Sequence, residues 1–139
     1  MVTGPGVVAR RWRAFADELG CPVQPGASAA AVAVLVAESH ALLGGAPPPE
    51  FLDLLRDQDG GEVNGLRFHA TRDLVQVNLD MREGGGLDDH VVLAGGGIRL
   101  CALHLPSGAF HELDPVPVQV VQVYPSFAAL LTAAIDAHR

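Results

Sequence analysis

The sequence contains no lysine, and its positive charge comes from nine arginines set against sixteen acidic residues. The formal net charge is −7 at pH 7. Proteins bind a nucleic-acid backbone through clustered basic side chains, so this balance argues against a nucleic-acid partner. It favours association with a basic protein surface. The absence of lysine among abundant alanine, glycine, proline, valine and arginine is typical of a GC-rich coding sequence, which predicts a bacterial source.

Long apolar runs are also missing. The longest, at residues 29–37, is far shorter than the ~20 residues that a membrane-spanning helix needs. The N-terminal region carries Trp12 and three arginines before any apolar run, which does not resemble a secretory signal. The two cysteines, Cys21 and Cys101, are far apart and show no metal-binding spacing, so reduced thiols are expected. These features predict a cytoplasmic protein without a membrane segment.

Recognisable catalytic motifs are absent as well. None of the serines lies in a Gly-x-Ser-x-Gly turn, the arrangement that exposes a nucleophilic serine. The glycine runs at 84–86 and 95–97 lack the lysine or following helix that would complete a phosphate-binding loop. The sequence therefore predicts turn glycines, no catalytic residues and no cofactor.

The six histidines do not form a metal-binding pattern. In a hairpin with Leu105 opposite Ala109, His104 and His111 would point to opposite faces of the sheet, because side chains alternate along a strand. Cys101 and His111 would then share a face, but two ligands do not make a closed zinc site. His90 is expected to stand alone. The sequence therefore predicts no metal site.

What the chain does contain is the pattern of one α+β domain. A length of 139 residues and 49% hydrophobic content are enough for one packed core, over residues 1–139. Apolar spacing predicts a helix through Val8, Trp12, Phe15 and Leu19 that stops near Gly20. A second helix is expected to start at Ser28 and to bury an apolar line, which comprises Val32, Leu35, Val36, Ser39, Leu42 and Leu43. Residues 49–57, led by proline, form a third helix.

The second half of the chain favours strands. Strands are predicted at residues 66–69, 91–93, 98–105, 109–113 and 118–123. Pro115 and Pro117 would keep the last strand at a sheet edge, because proline cannot donate to a strand ladder. Residues 71–81 fit either a short helix or a strand, and helix is favoured. A last helix opens at Pro125. The fold class predicted is thus α+β, with N-terminal helices, an antiparallel sheet with a central hairpin, and a closing C-terminal helix.

The order of these motifs resembles the SMI1/KNR4 (SUKH) superfamily, most closely its YrhA-like bacterial branch. The family's proline-led helix, Pro-x-x-Phe/Tyr-x-x-Phe/Leu-Leu, is similar to residues 48–55 (PPEFLDLL). Asp59-Gly60 stands where Asn-Gly is usual, residues 63–68 (VNGLRF) resemble the following loop and strand, and Asn78 fits an asparagine that ends the next segment. Residues 124–131 (YPSFAALL) resemble the closing helix.

This resemblance implies a non-catalytic protein that binds and neutralises a cognate protein toxin, such as a basic nuclease or deaminase effector. The alternative is a cytosolic regulatory or scaffold module of the SMI1/KNR4 type. Binding residues that vary without disturbing the core belong on loops, and the acids of this chain concentrate in its turns. The residues predicted to face the toxin are Asp57, Asp59, Glu62, Glu83, Asp88 and Asp89.

Overall fold

The computed structural model of the chain describes residues 6–139. Helices and strands follow one another in that region in the order α1 (Gly6–Glu18), α2 (Ala29–Leu43), α3 (Pro49–Asp57), β1 (Gly61–Val63), β2 (Leu66–Phe68), α4 (Leu74–Glu83), β3 (His90–Gly96), β4 (Arg99–His104), β5 (Phe110–Pro115), β6 (Val118–Tyr124) and α5 (Phe127–Ala137). The α+β class expected from the sequence is confirmed.

The six strands form one sheet in which each strand pairs antiparallel with its neighbour in the chain, in the order β1-β2-β3-β4-β5-β6. The β1–β2 hairpin turns through Asn64 and Gly65, whose φ angles are 49° and 89°. A two-residue turn of that kind requires positive φ at both positions, which asparagine and glycine tolerate best. β6 lies at an edge, as Pro115 and Pro117 predict.

Helices α2 and α3 begin where the sequence predicts, whereas α5 begins at Phe127, two residues after the predicted Pro125. The side chain of Ser28 accepts a hydrogen bond from the backbone N–H of Ala31 at the start of α2, and α3 starts at Pro49. Two expected core positions are corrected: Leu19 lies beyond the end of α1, Leu42 lies on α2, and both are exposed. The buried face of α2 is narrower than its apolar sequence suggests, because a helix rich in alanine and valine all round gives little signal of which side faces inward.

One face of the sheet, here called the helical face, carries the main core. Trp12, Phe15, Phe51, Phe68 and Phe127 are fully buried there, with residues from all five helices. The ring centroids of Trp12 and Phe68 lie 4.7 Å apart, and those of Phe51 and Phe127 lie 5.5 Å apart, both edge to face. Such pairs add about 0.5–1.5 kcal/mol beyond the apolar area that they bury. This cluster fixes α1, α3 and α5 on the sheet.

Residues 71–81, which the sequence leaves open between helix and strand, lead into α4. Buried Asn78 on this helix takes the place of a strand partner for Val92 in β3. Its Nδ2 donates to the carbonyl oxygen of Val92 at 2.9 Å, and its Oδ1 accepts from the N–H of Val92 at 2.6 Å. The side-chain amide thus satisfies two backbone groups of β3 beyond the point where β2 ends.

The hairpin between β4 and β5 differs from the prediction by one residue. Leu103 pairs with Phe110, and the N–H of His104 donates to the carbonyl oxygen of Ala109 at 2.9 Å. The N–H of Leu105, expected opposite Ala109, donates to the carbonyl oxygen of Asp89 at 2.8 Å. A shift of one residue moves a side chain to the other face of a sheet.

Candidate functional site

The structure divides the six predicted contact acids into two groups. Asp57, Asp59 and Glu62 lie between the end of α3 and β1, and each has a partner within the chain. Asp57 accepts from Arg13 Nε at 2.6 Å and from Nη2 at 3.0 Å, and this pairing raises the pKa of Arg13. Such a two-point contact fixes the carboxylate in place.

The other two acids of this first group are also engaged. Asp59 accepts from the backbone N–H of Thr71 at 2.7 Å and from its hydroxyl at 2.8 Å, which ties the loop before β1 to the loop after β2. Glu62 forms an ion pair with Arg67 on the neighbouring strand at 2.9 Å. A partner that uses these carboxylates must compete with the contacts they already make.

Glu83, Asp88 and Asp89 form the second group, in residues 83–89 between α4 and β3, here called the acidic turn. All three are exposed. Within residues 6–139, none of them has a basic side chain at ion-pair distance. The acidic turn therefore presents uncompensated negative charge to the solvent.

The backbone of the acidic turn is anchored through Leu87 and Asp89. Gly85 and Gly86 adopt φ angles of 86° and 87°, which suit glycine, and let the chain reverse direction. Leu87 is buried against Val92, Ala102 and Leu113 on the face of the sheet opposite the helical face. The carbonyl of Asp89 accepts from Leu105 N–H at the start of the β4–β5 loop. Leu87 thus points into the fold while the carboxylates on both sides of it stay in solvent.

Beside this turn the structure brings together three histidines, here called the histidine cluster: His90, His104 and His111. The ring centroids of His104 and His111 are 4.5 Å apart, and those of His90 and His104 are 5.0 Å apart. His90 Nε2 and His111 Nδ1 lie 3.0 Å apart, at hydrogen-bond distance. The expectations that His104 and His111 point apart, that Cys101 shares a face with His111, and that His90 stands alone are all wrong. The corrected β4–β5 register brings His104 and His111 to one face, and the pairing of β3 with β4 places His90 opposite His104.

Burial and the neighbouring rings favour the neutral forms of His90 and His111. Desolvation is the main cause that lowers the pKa of His90 to about 4, and the nearby rings of His104 and His111 lower it further. The pKa of His111 is lowered for the same reasons. Two protonated rings cannot share the His90–His111 hydrogen bond, because one nitrogen must accept. Among residues 6–139, no group of three or more His, Cys, Asp or Glu side chains is arranged to hold a metal ion.

A cavity of about 300 Å³ lies on the helical face between α5 and the strands. Its lining is largely apolar, and includes Leu66, Ile98, Cys101, Leu130 and Ala134. Both cysteines of the chain are free, and burial raises the pKa of the Cys101 thiol to about 12. The thiol is therefore protonated at neutral pH and is not an activated nucleophile.

At the mouth of this cavity Arg99 pairs with two acids. Its guanidinium lies 3.0 Å from Glu112 and 2.8 Å from Asp114. This arginine is thus compensated by its own sheet and offers little to an anionic ligand.

No model of a known protein family matches this chain, and no curated protein matches it significantly. In residues 6–139, no helix combines the length and the apolar character that crossing a membrane would require. The resemblance to the SMI1/KNR4 superfamily therefore remains a prediction that rests on the motifs quoted above.

The pairing of Asp57 with Arg13, 44 positions away, could not have been found from sequence spacing. The three exposed carboxylates of the acidic turn could be recognised from the sequence, because they lie close together beside a glycine run.

Proposed function

We propose that this protein is a non-catalytic, immunity-type protein that binds and neutralises a cognate cationic protein toxin through its acidic turn. The observation that carries the proposal is the set of three exposed carboxylates, Glu83, Asp88 and Asp89, on an anchored turn with no basic partner in residues 6–139. The net charge of −7 and the resemblance to SMI1/KNR4 immunity proteins support it.

An anchored turn suits this role because little order has to be gained on binding. The immobilisation of flexible side chains and loops opposes association, and a turn already fixed by Leu87 and Asp89 reduces that loss. The three carboxylates also attract a basic surface before contact. Electrostatic attraction of this kind raises the association rate, and salt screens it over about 8 Å at physiological ionic strength.

The first group of acids contributes less in this proposal. Asp57, Asp59 and Glu62 were predicted to face the toxin together with the acidic turn. Their contacts with Arg13, Thr71 and Arg67 already compensate their charge or bind their oxygens. Within residues 6–139, only the second group has no internal ion pair or hydrogen bond to reduce its charge, so the candidate surface narrows to residues 83–89.

The experiment compares two triple variants that change the net charge by the same amount. One is Glu83→Gln/Asp88→Asn/Asp89→Asn. The control neutralises three exposed acids elsewhere, Asp17→Asn/Glu38→Gln/Asp136→Asn. The partner tested is the product of the gene that adjoins the gene for this protein, where the proposal expects a toxin gene. Association is measured by surface plasmon resonance at several salt concentrations.

We expect the acidic-turn variant to slow association about tenfold or more, within the range that charge steering provides. The control should slow it far less, and added salt should remove most of the difference. Equal slowing in the two variants would mean that only net charge matters, and the acidic-turn site would be refuted. If the adjoining gene encodes no toxin and the protein protects no cell from one, the regulatory or scaffold alternative replaces the immunity role.

A further inference from the structure

The outer edge of β6 is a second surface available for binding. β6 pairs with β5 on one side only, so within residues 6–139 no strand satisfies the backbone groups on its other side. Proteins usually protect such an edge with charged side chains, most often lysine. β6 follows Pro117 and contains a bulge, but no charged side chain protects it, because the sequence carries no charged residue between Asp114 and Asp136. Val120, Val121 and Val123 on this strand are 47%, 40% and 53% exposed.

The amino-acid sequence of β6 is also palindromic. Residues 118–123 read Val-Gln-Val-Val-Gln-Val, which is the same in both directions. Two such strands placed antiparallel about a point between Val120 and Val121 would set valine opposite valine and glutamine opposite glutamine. In a regular strand this match would fail, because Val118 and Val123 would point to opposite faces.

A bulge in β6 removes that obstacle. Glu112 pairs with Gln122 and Leu113 pairs with Val120, so Val121 is an extra residue in the ladder. The face of Leu113 is therefore shared by Val118, which packs beside it, and by Val120 and Val123. Gln119 and Gln122 lie together on the other face, opposite Asp114 and Glu112 of β5.

We propose that two copies of this chain associate through β6, paired antiparallel about a twofold axis between Val120 and Val121, to form one continuous sheet. The twofold axis is perpendicular to the sheet, so the helical faces of the two copies lie on the same side of the joined sheet. Two residues that pair across the axis must therefore point to the same face. The bulge meets this condition for Val118 with Val123 and for Gln119 with Gln122. The same patch then serves both copies, as a twofold interface requires.

Charge supports a second copy as the occupant. Each chain carries a net charge of −7, so two copies repel unless they meet at neutral surfaces. β6 and the helix that follows form the uncharged segment up to Asp136. The nearest acids on β5, Glu112 and Asp114, are both paired with Arg99. Arg99 offsets one of these two charges, so one negative charge remains on β5, while the paired β6 strands themselves carry no carboxylate.

The test measures molar mass by light scattering over a range of protein concentrations. We expect twice the chain mass of 14.5 kDa for the unmodified protein. Val121→Lys should return the mass to that of one chain, because two lysines would meet at the axis. The matched control is Val34→Lys, which changes an exposed valine on α2 and should leave the dimer intact. Unchanged thermal unfolding midpoints, compared at concentrations where each protein is monomeric, show that both variants fold.

Oxidative cross-linking tests the register. The double variant Gln119→Cys/Gln122→Cys should form a covalent dimer, whereas either single variant should not. Cross-linking of Gln119→Cys alone or of Gln122→Cys alone would mean that the axis passes through that residue, and the palindromic pairing would be refuted. A monomer at the highest soluble concentration, or a dimer that survives Val121→Lys, overturns the proposal. A monomer that loses toxin binding in Val121→Lys would show that the edge accepts a strand from the toxin instead.

Discussion

The two faces of the sheet are built from different residues. The helical face buries a tryptophan and several phenylalanines under helices. The opposite face has a small buried cluster of Leu87, Val92, Ala102 and Leu113, and the histidine cluster lies beside it. Helix α4 reaches that face only through Met81, and the acidic turn covers it through Leu87.

This difference separates stability from binding. Apolar area removed from water stabilises the fold by about 25 cal/mol per Å², so most of that stabilisation comes from the helical face. The opposite face contributes less and can therefore carry titratable and partner-facing groups with a smaller effect on the fold. The same surface region holds the acidic turn, the three histidines and the valines of β6. Predictions that compare substitutions on the two faces test this division.

The largest effect is expected for Phe51→Ala on the helical face. Phe51 is fully buried between Phe68 and Phe127, and removal of its ring leaves a cavity that the surrounding helices cannot fill. We expect the free energy of unfolding to fall by about 3–5 kcal/mol in urea titrations. Val34→Ala on the exposed side of α2 is the control and should change it by less than about 0.5 kcal/mol. A loss below about 1 kcal/mol for Phe51→Ala would contradict the central place of α3 in the core.

A smaller loss is expected for Leu113→Ala on the opposite face. Leu113 is fully buried, but its neighbours are few and include the turn residue Leu87. The turn can move inward and reduce the cavity, so we expect about 2–3 kcal/mol, the lower part of the range for leucine. A loss equal to that of Phe51→Ala would show that the two faces contribute equally.

Local signals predicted the helices well. Pro49 at the first helical position and Glu50 in the first turn define the start of α3, and the structure agrees. Ser28 and Ser126 cap α2 and α5 for reasons visible in a few residues. β1 was not predicted as a strand, because its three residues, Gly61–Val63, are too few to show alternation.

The histidine cluster could not be predicted, because it depends on contacts between distant residues. Pro106, Ser107 and Gly108 favour a turn, and Gly108 does adopt a positive φ of 71°. That turn chemistry does not decide between a loop of three residues and one of four. The structure has the loop of four residues. In it, the N–H of Leu105 donates to the carbonyl oxygen of Asp89, which lies in the connection between α4 and β3. One residue of register then decides whether His104 and His111 meet.

Acid should lower the free energy of unfolding through the histidines of the opposite face. The folded-state pKa of His90 is about 4, below its usual value of 6.5, because burial, His104, His111 and Arg82 outweigh the attraction of Asp89. The unfolded chain therefore binds more protons between these two values, and the stability falls as the pH drops from about 6.5 towards 4. We expect a loss on the order of 1–2 kcal/mol, less than the full pKa displacement implies, because solvent screens part of it.

Denaturant titrations across this pH range measure the effect. His90→Gln removes one titrating ring, and its stability should depend less on pH than that of the unmodified protein. His40→Gln changes an exposed histidine on α2 and should leave the dependence as it was. The prediction fails if stability is flat between pH 6.5 and pH 4, or if the two variants behave alike.

The smallest effect is expected for the charges of the acidic turn. Glu83, Asp88 and Asp89 are exposed and, within the part of the chain described, have no basic partner, so their side chains contribute little to the fold. The triple variant Glu83→Gln/Asp88→Asn/Asp89→Asn should change the free energy of unfolding at pH 7 by less than about 0.5 kcal/mol. Leu87→Ala is the control within the same turn. Its buried side chain holds the turn on the sheet, so its loss should cost about 2 kcal/mol or more. A triple variant as destabilised as Leu87→Ala would mean that the carboxylates hold the turn in place. The charged residues of the turn could then not change to suit a partner without lowering the stability of the fold.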